Sequence, residues 1–342
     1  MSVNRIVRLS YLLPALALLS GCGGGSAVPS QAAATGPTLS NSPIAPGASH
    51  YGNDSFVITA QLYGNDASVY QRKGYTLTHK TAIMYGISMP QGTATTPNGY
   101  WYLTNTGHNN VLVYKISKGS IPSYPIDTLD DHGQLPDNVS AAPSRNLVAV
   151  SNYSSTTGSA GSVSVYLSRQ SEPARTLTYG NDAIQGQGIA IDHQGNCFWS
   201  FQDPNTSSGT IVEFPGCNMP GTAIISGLKQ AEGIAFDQSG DLYYVDQAYG
   251  VYQCNKTASC ALFAGNGNGP SGYGFALPNN LNFDQQDKSL WLSDASGYFW
   301  AIVLGGNGHC KGSNKGKGSG LCVYQYTSVD GDPYGIAPSP GG

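Results

Sequence analysis

The chain has 342 residues, of which 11% are charged, with 45 Gly, 22 Tyr and a formal net charge of −4. The length allows one large repeat domain or two ordinary ones, and the mildly acidic balance excludes the basic footprint that nucleic-acid binding requires. Abundant Gly and aromatic residues favour turns and strands over helices, and no long stretch carries the periodicity of an amphipathic helix.

Residues 1–22 read as a targeting segment rather than part of the fold. Arg5 and Arg8 form a positive n-region, and LSYLLPALALLS is an apolar h-region too short for a stable membrane span. It ends in Leu19-Ser20-Gly21-Cys22, which resembles a bacterial lipobox. That resemblance implies lipidation at Cys22, a membrane partner through the lipid anchor, and export to the bacterial envelope. Gly23 rather than Asp follows the cysteine, which favours the outer membrane over the inner in a cell with two. Processing there would remove two of the 16 basic residues and take the net charge from −4 to about −6. Residues 23–50 hold Gly, Ser, Ala and Pro with almost no bulky apolar side chain. Such a segment buries too little surface to offset its ordering entropy. We read it as a flexible tether with a root-mean-square reach on the order of 30 Å.

Residues 51–342 form the expected folded domain. FVITAQL (Phe56 to Leu62), a YGND turn, ASVYQRK and TLTHK come first and read as strands. A phrase then recurs: GISMPQGTATTPNGYWYLTN from Gly86, NVSAAPSRNLVAVSN from Asn138, GIAIDHQGNCFWSF from Gly188, GIAFDQSGDLYYVD from Gly233, NLNFDQQDKSLWLSD from Asn280 and GIAPSPGG from Gly335. The spacings of 52, 50, 45, 47 and 55 residues match the period of propeller blades. In the Gly233 unit, Gly233 and Ala235 permit close approach near the axis, while Ile234 and Phe236 face the neighbouring blade. Asp237 to Gly240 reads as a type I turn, followed by LYYVDQ, VYQCN and ALFAG. One such sheet cannot bury both faces, but a ring of them does. The last phrase supplies only an inner strand, and the stretch from Phe56 to Lys80 supplies the strands it lacks. The prediction is an all-β, six-bladed β-propeller closed by N- and C-terminal strands in one blade, expected to be a monomer.

Six cysteines remain beyond Cys22, an even number in a chain expected to be exported. Placed on the blades, they pair within single hairpins as Cys197–Cys217, Cys254–Cys260 and Cys310–Cys322. LFAGNGNGPSGYGFALPNNLNFD (Leu262 to Asp284) resembles an NHL repeat, and YLTNTGHNNVLVYKI (Tyr102 to Ile116) is similar to YVTN-type units. The resemblance covers roughly residues 56–342 and implies a propeller without specifying an activity.

The candidate chemistry is sparse. Gly267 to Gly272 matches G-x-G-x-x-G but lacks the following helix that would hold a phosphate, so it reads as an interblade loop. The histidines (50, 79, 108, 132, 193, 309) are scattered and do not suggest a zinc site. The three YGND copies read as turn chemistry. The loop bearing Lys311, Lys315 and Lys317 reads as a solvated tip, and the strand aromatics read as core rather than as a carbohydrate-stacking surface. The strongest candidates precede the inner strands, at one mouth of the channel: Asp137, Asn138, Gln187, Glu232, Asn279, Asn280 and Asp332. All are oxygen donors, the ligand type of hard cations such as calcium. Glu232-Gly233 and Pro278-Asn279-Asn280 are similar to motifs of gluconolactonase-like propellers. This implies a divalent metal held by Glu232, Asn280, Asp332 and Asn138 that polarises a lactone carbonyl. The pattern departs from that family in two ways. Glu232 lies in the fifth blade rather than the first, and Asn280 replaces the usual Gly. The sequence identifies no catalytic residue. The expected function is a lipid-anchored module that binds or scaffolds an envelope protein, small molecule or carbohydrate. The alternative is a metal-dependent hydrolase of the gluconolactonase type.

Overall fold

The computed structural model describes residues 49–50, 55–117, 120–158, 160–167, 170–180, 184–266, 273–284, 288–304 and 321–339. The targeting segment with Cys22, most of the tether, the Gly267 to Gly272 loop, Cys310 and the Lys311 to Lys317 loop lie outside these residues. Six four-stranded antiparallel sheets account for almost all of the structure. We number them as blades in chain order, each from its inner strand outward. Blade one is Pro333–Pro338, Ser55–Gln61, Asp66–Lys73 and Thr76–Ile83. Blade two is Pro90–Thr95, Tyr100–Asn105, Asn110–Lys115 and Asp127–Asp130. Blade three is Gln134–Ala142, Leu147–Ser155, Ser162–Leu167 and Arg175–Leu177. Blade four is Gln185–Ile191, Cys197–Asp203, Ser208–Phe214 and Thr222–Leu228. Blade five is Ala231–Phe236, Leu242–Asp246, Gly250–Asn255 and Ser259–Gly265, and blade six is Pro278–Phe283, Ser289–Asp294, Tyr298–Val303 and Cys322–Thr327. Each inner strand packs against the next, and the sixth against the first, so the ring is closed. The protein is a six-bladed β-propeller.

Closure comes from both ends of the chain, as the truncated last phrase predicts. Ile58 lies opposite Ala337 and Thr59 opposite Ile336. The Ser339 N–H donates to the Phe56 carbonyl at 2.8 Å, and the Phe56 N–H donates to the Ser339 hydroxyl at 2.8 Å. Blade six then packs on blade one through Trp291, Phe299 and Ala301 against Val57, Tyr70 and Ile336. Arg72 reaches across this junction to Asp284 at 3.0 Å and lies 5.1 Å from the Trp291 ring centroid. Ser49–His50, which the sequence places in the tether, instead pairs with Ser120–Ile121 beside blade two.

The recurring phrase has a physical basis. Every inner strand breaks register with its second strand near its start: between Pro90 and Thr93, Pro136 and Asn138, Gly186 and Ile189, Ala231 and Ile234, and Pro278 and Leu281. The closing strand does so at Ala60/Gln61, leaving Tyr334 unpaired with its neighbour. These are β-bulges, which re-aim side chains and bend the strand. The glycines of the phrase sit in these bulges because neighbouring blades meet there. A Cβ on Gly188 would lie 2.6 Å from the Glu232 carbonyl, and one on Gly233 would lie 2.8 Å from the Asn280 Cα. The close approach is therefore between blades, which refines the expected crowding at the axis. Ala235 packs toward blade six, whereas Ile234 packs toward blade four.

In blades two, five and six the Asp or Asn ending the second-strand phrase caps the loop that enters the inner strand. The Asp294 carboxylate accepts from the Ala276 and Leu277 N–H groups at 2.8 and 2.9 Å, and Asp246 accepts from Lys229 at 3.0 Å. Asn105 accepts from the Ser88 N–H at 2.6 Å in the same way. Cys197–Cys217 and Cys254–Cys260 are bonded, each within one blade. Cys322 is also disulfide-bonded, with its expected partner Cys310 outside the described residues.

Candidate functional site

The bulges place one residue from each blade around the same end of the channel: Gln91, Asp137, Gln187, Glu232, Asn279 and Tyr334. Blades two, four and six fasten this ring with one repeated device. The Thr104 hydroxyl accepts from the Gly92 N–H at 2.7 Å and donates to the Asp137 carbonyl at 3.1 Å. Ser200 accepts from Gly188 at 2.7 Å and donates to the Glu232 carbonyl. Ser293 accepts from Asn280 at 3.0 Å and donates to the Tyr334 carbonyl at 2.6 Å. Each hydroxyl thus satisfies a bulge and clips it to the next blade, fixing the backbone that carries the ring side chains. The equivalent Ser151 of blade three instead accepts from the Trp199 indole N–H at 2.9 Å.

Two carboxyl groups of this ring, Asp137 and Glu232, interact. Burial, and then the nearby Glu232 charge, push the Asp137 carboxyl well above the ordinary carboxylate range. Asp137 remains half-exposed to water although surrounded by protein, which is the position of a group facing the channel. Glu232 is buried and accepts from the Gln230 side-chain amide at 3.2 Å. Tyr153 stands beside both. Its phenol is raised to about 12 by burial and by the charges of Asp137 and Glu232, against a hydrogen bond with Gln185. Two close carboxyls in a low-dielectric site disfavour joint ionisation, so this mouth favours a proton, a cation or a hydrogen-bond-donating ligand.

Of the four residues expected to hold a metal, Glu232 stands in the bulge beside the Asn280 backbone and close to Asp137. Asn138 and Asn280 are buried and line an axial cavity of about 150 Å³ bounded by the inner strands of blades three to six. The Asn138 side-chain oxygen accepts the neighbouring Val139 N–H at 2.8 Å. Asn282 spans the channel, donating to the Ile336 carbonyl at 2.8 Å and the Thr93 carbonyl at 3.1 Å. Asp332 lies at the blade-one rim beside the Gly297 turn of blade six, and burial raises its carboxyl. Glu232 is therefore grouped with Asp137, Tyr153 and Gln230. Neither Tyr153 nor Gln230 directly adjoins a glycine of the phrase, and neither was marked by the sequence. The bulge that aligns Glu232 with Asp137 is likewise invisible to spacing alone.

Among the described residues, one group of three His, Cys, Asp or Glu brings its ligand atoms within 4.8 Å of one another: Asp130, His132 and Glu172. All three are exposed. The two ring nitrogens of His132 face different carboxylates, so the ring bridges the two acids rather than joining them around one point. The YGND copy at Tyr63 forms a turn as expected, with Asn65 at φ 52°.

No family model matches the sequence, and no curated protein matches it either. Among solved structures, it is similar to a functionally unknown protein from Desulfotomaculum acetoxidans DSM 771, at 14% identity and a TM-score of 0.49. The match covers 72% of this chain and 75% of that one.

Proposed function

We propose that this propeller is an exported, lipid-anchored binding module of a bacterial envelope, and that its axial mouth receives the ligand. The carrying observation is the Asp137–Glu232 pair, held by clipped bulges and flanked by Tyr153, Gln185 and Gln230. Rigid elements positioning a few convergent polar groups at a concave mouth are the usual form of a binding site. Its chemistry suits a small molecule, carbohydrate or protein side chain that presents a cation or hydrogen-bond donors. The lipobox ending at Cys22 supports anchoring, and the bonded cysteine pairs are consistent with an oxidising compartment. The test has two arms. Metabolic labelling with a fatty acid should mark the wild type but not Cys22→Ala, which should leave the membrane fraction. Crosslinking from a photoreactive residue at Gln187 should capture a ligand or envelope partner, and Glu232→Gln with Asp137→Asn should reduce capture. Labelling that survives Cys22→Ala would remove the anchor, and undiminished capture in the double variant would remove the mouth.

The same pair of carboxyls favours a second reading, a metal-dependent hydrolase. Asp137 and Glu232, with their neighbouring amides, would hold a calcium-type ion that supplies Lewis-acid polarisation of a lactone carbonyl. Asn138, Asn280 and Asp332 are the further oxygen donors that the sequence assigns to such an ion. Calcium-dependent lactone hydrolysis that is lost in Glu232→Gln would establish this reading, and its absence in calcium-loaded wild type would exclude it.

A further inference from the structure

We propose that Asp66, Ser68, Asp330 and the side-chain oxygen of Gln61 form a site for a hard divalent cation of the calcium class, at the junction where the last blade meets the first. The proposal does not depend on the binding reading above.

The strand register assembles it. Gln61 lies opposite Asp66 and Thr59 opposite Ser68. Opposed residues share a sheet face, so these four polar side chains form one patch. Val57 and Tyr70 continue the same face and pack on Trp291 and Phe299, so the patch points into blade six. All four polar residues are buried there: Thr59, Gln61 and Ser68 are 0% exposed and Asp66 is 5% exposed. Asp330 completes the patch from the segment linking the last outer strand to the closing strand, and accepts from the Ser68 hydroxyl. Ser328 of the same segment accepts from the Gln61 amide at 2.9 Å.

The donors are too few for these acceptors. Ser68 has one proton and faces both carboxylates, with Asp66 at 3.4 Å. The Gln61 amide is already used on Thr59 and Ser328, and its oxygen has no hydrogen-bond partner among the described residues. His79 contributes one ring nitrogen, 3.7 Å from Asp330 and half-exposed. Buried oxygens in excess over protons are costly unless a proton or a cation satisfies them. A cradle is present for the cation. A Cβ on Gly64 would lie 2.7 Å from the Asp66 carboxylate and 3.3 Å from the Asp330 carbonyl oxygen. Burial, and then the Asp330 charge, raise the Asp66 carboxyl to about 6, as expected for an acid lacking its counter-charge. Carboxylate, amide, hydroxyl and carbonyl oxygens together are the ligand set of a hard cation.

The test is calorimetric melting of chelator-treated protein at pH 7.5 with added calcium. A saturable, one-to-one rise of several degrees is expected in the wild type and in Glu232→Gln, and its loss in both Asp66→Asn and Asp330→Asn. Gly64→Ala keeps the four side chains chemically intact but presses a Cβ onto the Asp66 carboxylate and fills the cradle. It is expected to weaken the calcium response at least tenfold if the two Asn variants do not fold. No calcium response in the wild type would overturn the proposal. So would a response surviving Asp66→Asn and Asp330→Asn, or an undiminished response in Gly64→Ala. A melting point that responds to pH near 6 but not to calcium would assign the patch to a shared proton and overturn it equally. A response lost in Glu232→Gln alone would move the ion to the axial mouth, overturning this site while supporting the hydrolase reading.

Discussion

Asp131 offers a sharp test of how the buried polar groups are held. It is fully buried beside blade two and accepts from the Tyr166 hydroxyl at 3.1 Å, while its second oxygen has no hydrogen-bond partner among the described residues. Burial outweighs the polar neighbours Ser164, Tyr166 and Asn152 and raises its carboxyl from 3.8 to about 6. Below pH 3.8 the group is protonated in both folded and unfolded chains and costs nothing. Between 3.8 and 6 the folded chain retains the proton that the unfolded chain has released, so stability falls as the pH rises. Above 6 the full cost is in place. A shift of about two units corresponds to about 3 kcal/mol at 1.36 kcal/mol per unit. Asn fits the same space and cannot ionise. Asp131→Asn should therefore be about 3 kcal/mol more favourable, relative to wild type, at pH 7 than at pH 3.5. Urea unfolding of both proteins at the two pH values measures this double difference and cancels the other titrating groups. A double difference near zero would mean that Asp131 titrates normally and that its surroundings are wetter than described.

Three further outcomes follow from the geometry. Gly335→Ala places a Cβ 2.3 Å from the Gln91 carbonyl. This backbone contact cannot swing away, so the variant should lose about 3 kcal/mol, and a loss under about 0.5 kcal/mol in urea would show that blades one and two do not meet there. At Asp284, burial raises the carboxyl, but bonds from Ser289, Lys288 and Arg72 outweigh it and leave the group below its ordinary value. This contribution is present above the unfolded value of 3.8 and is lost as the pH falls through the folded one. Arg72→Met should thus cost about 3 kcal/mol at pH 7 and much less at pH 2, as read by urea midpoints. Replacing Cys197 and Cys217 by Ser opens a loop with a sequence separation of 20 and should cost about 3 kcal/mol, measured as a lower thermal midpoint than wild type.

The ring architecture was legible in the sequence because each blade repeats the same solution locally. The glycine at a bulge and the Asp or Asn that caps an incoming loop recur in most of the blades, as Gly188, Gly233, Asp246 and Asp294 show. The closing blade was legible from what Gly335 onward lacked. The cysteine pairs followed from hairpin neighbours. The mouth was legible only as a ring of oxygen donors. Which members meet depends on how the bulges turn each side chain, and so Asp137 rather than Asp332 stands by Glu232. The junction patch was least legible. Asp66 ends a YGND turn and reads locally as turn chemistry, and only the return of the chain 264 residues later brings Asp330 to it. Polar residues that meet through the final closure leave no periodic mark.

The account rests on closure by the last strand, and removal of residues 333–342 tests it most directly. Calorimetry of the shortened chain beside the full one, with amide exchange followed across Ser55–Gln61, gives the answer. Closure predicts a lower, broadened transition and loss of amide protection in Ser55–Gln61. An unchanged midpoint with those amides still protected would contradict it.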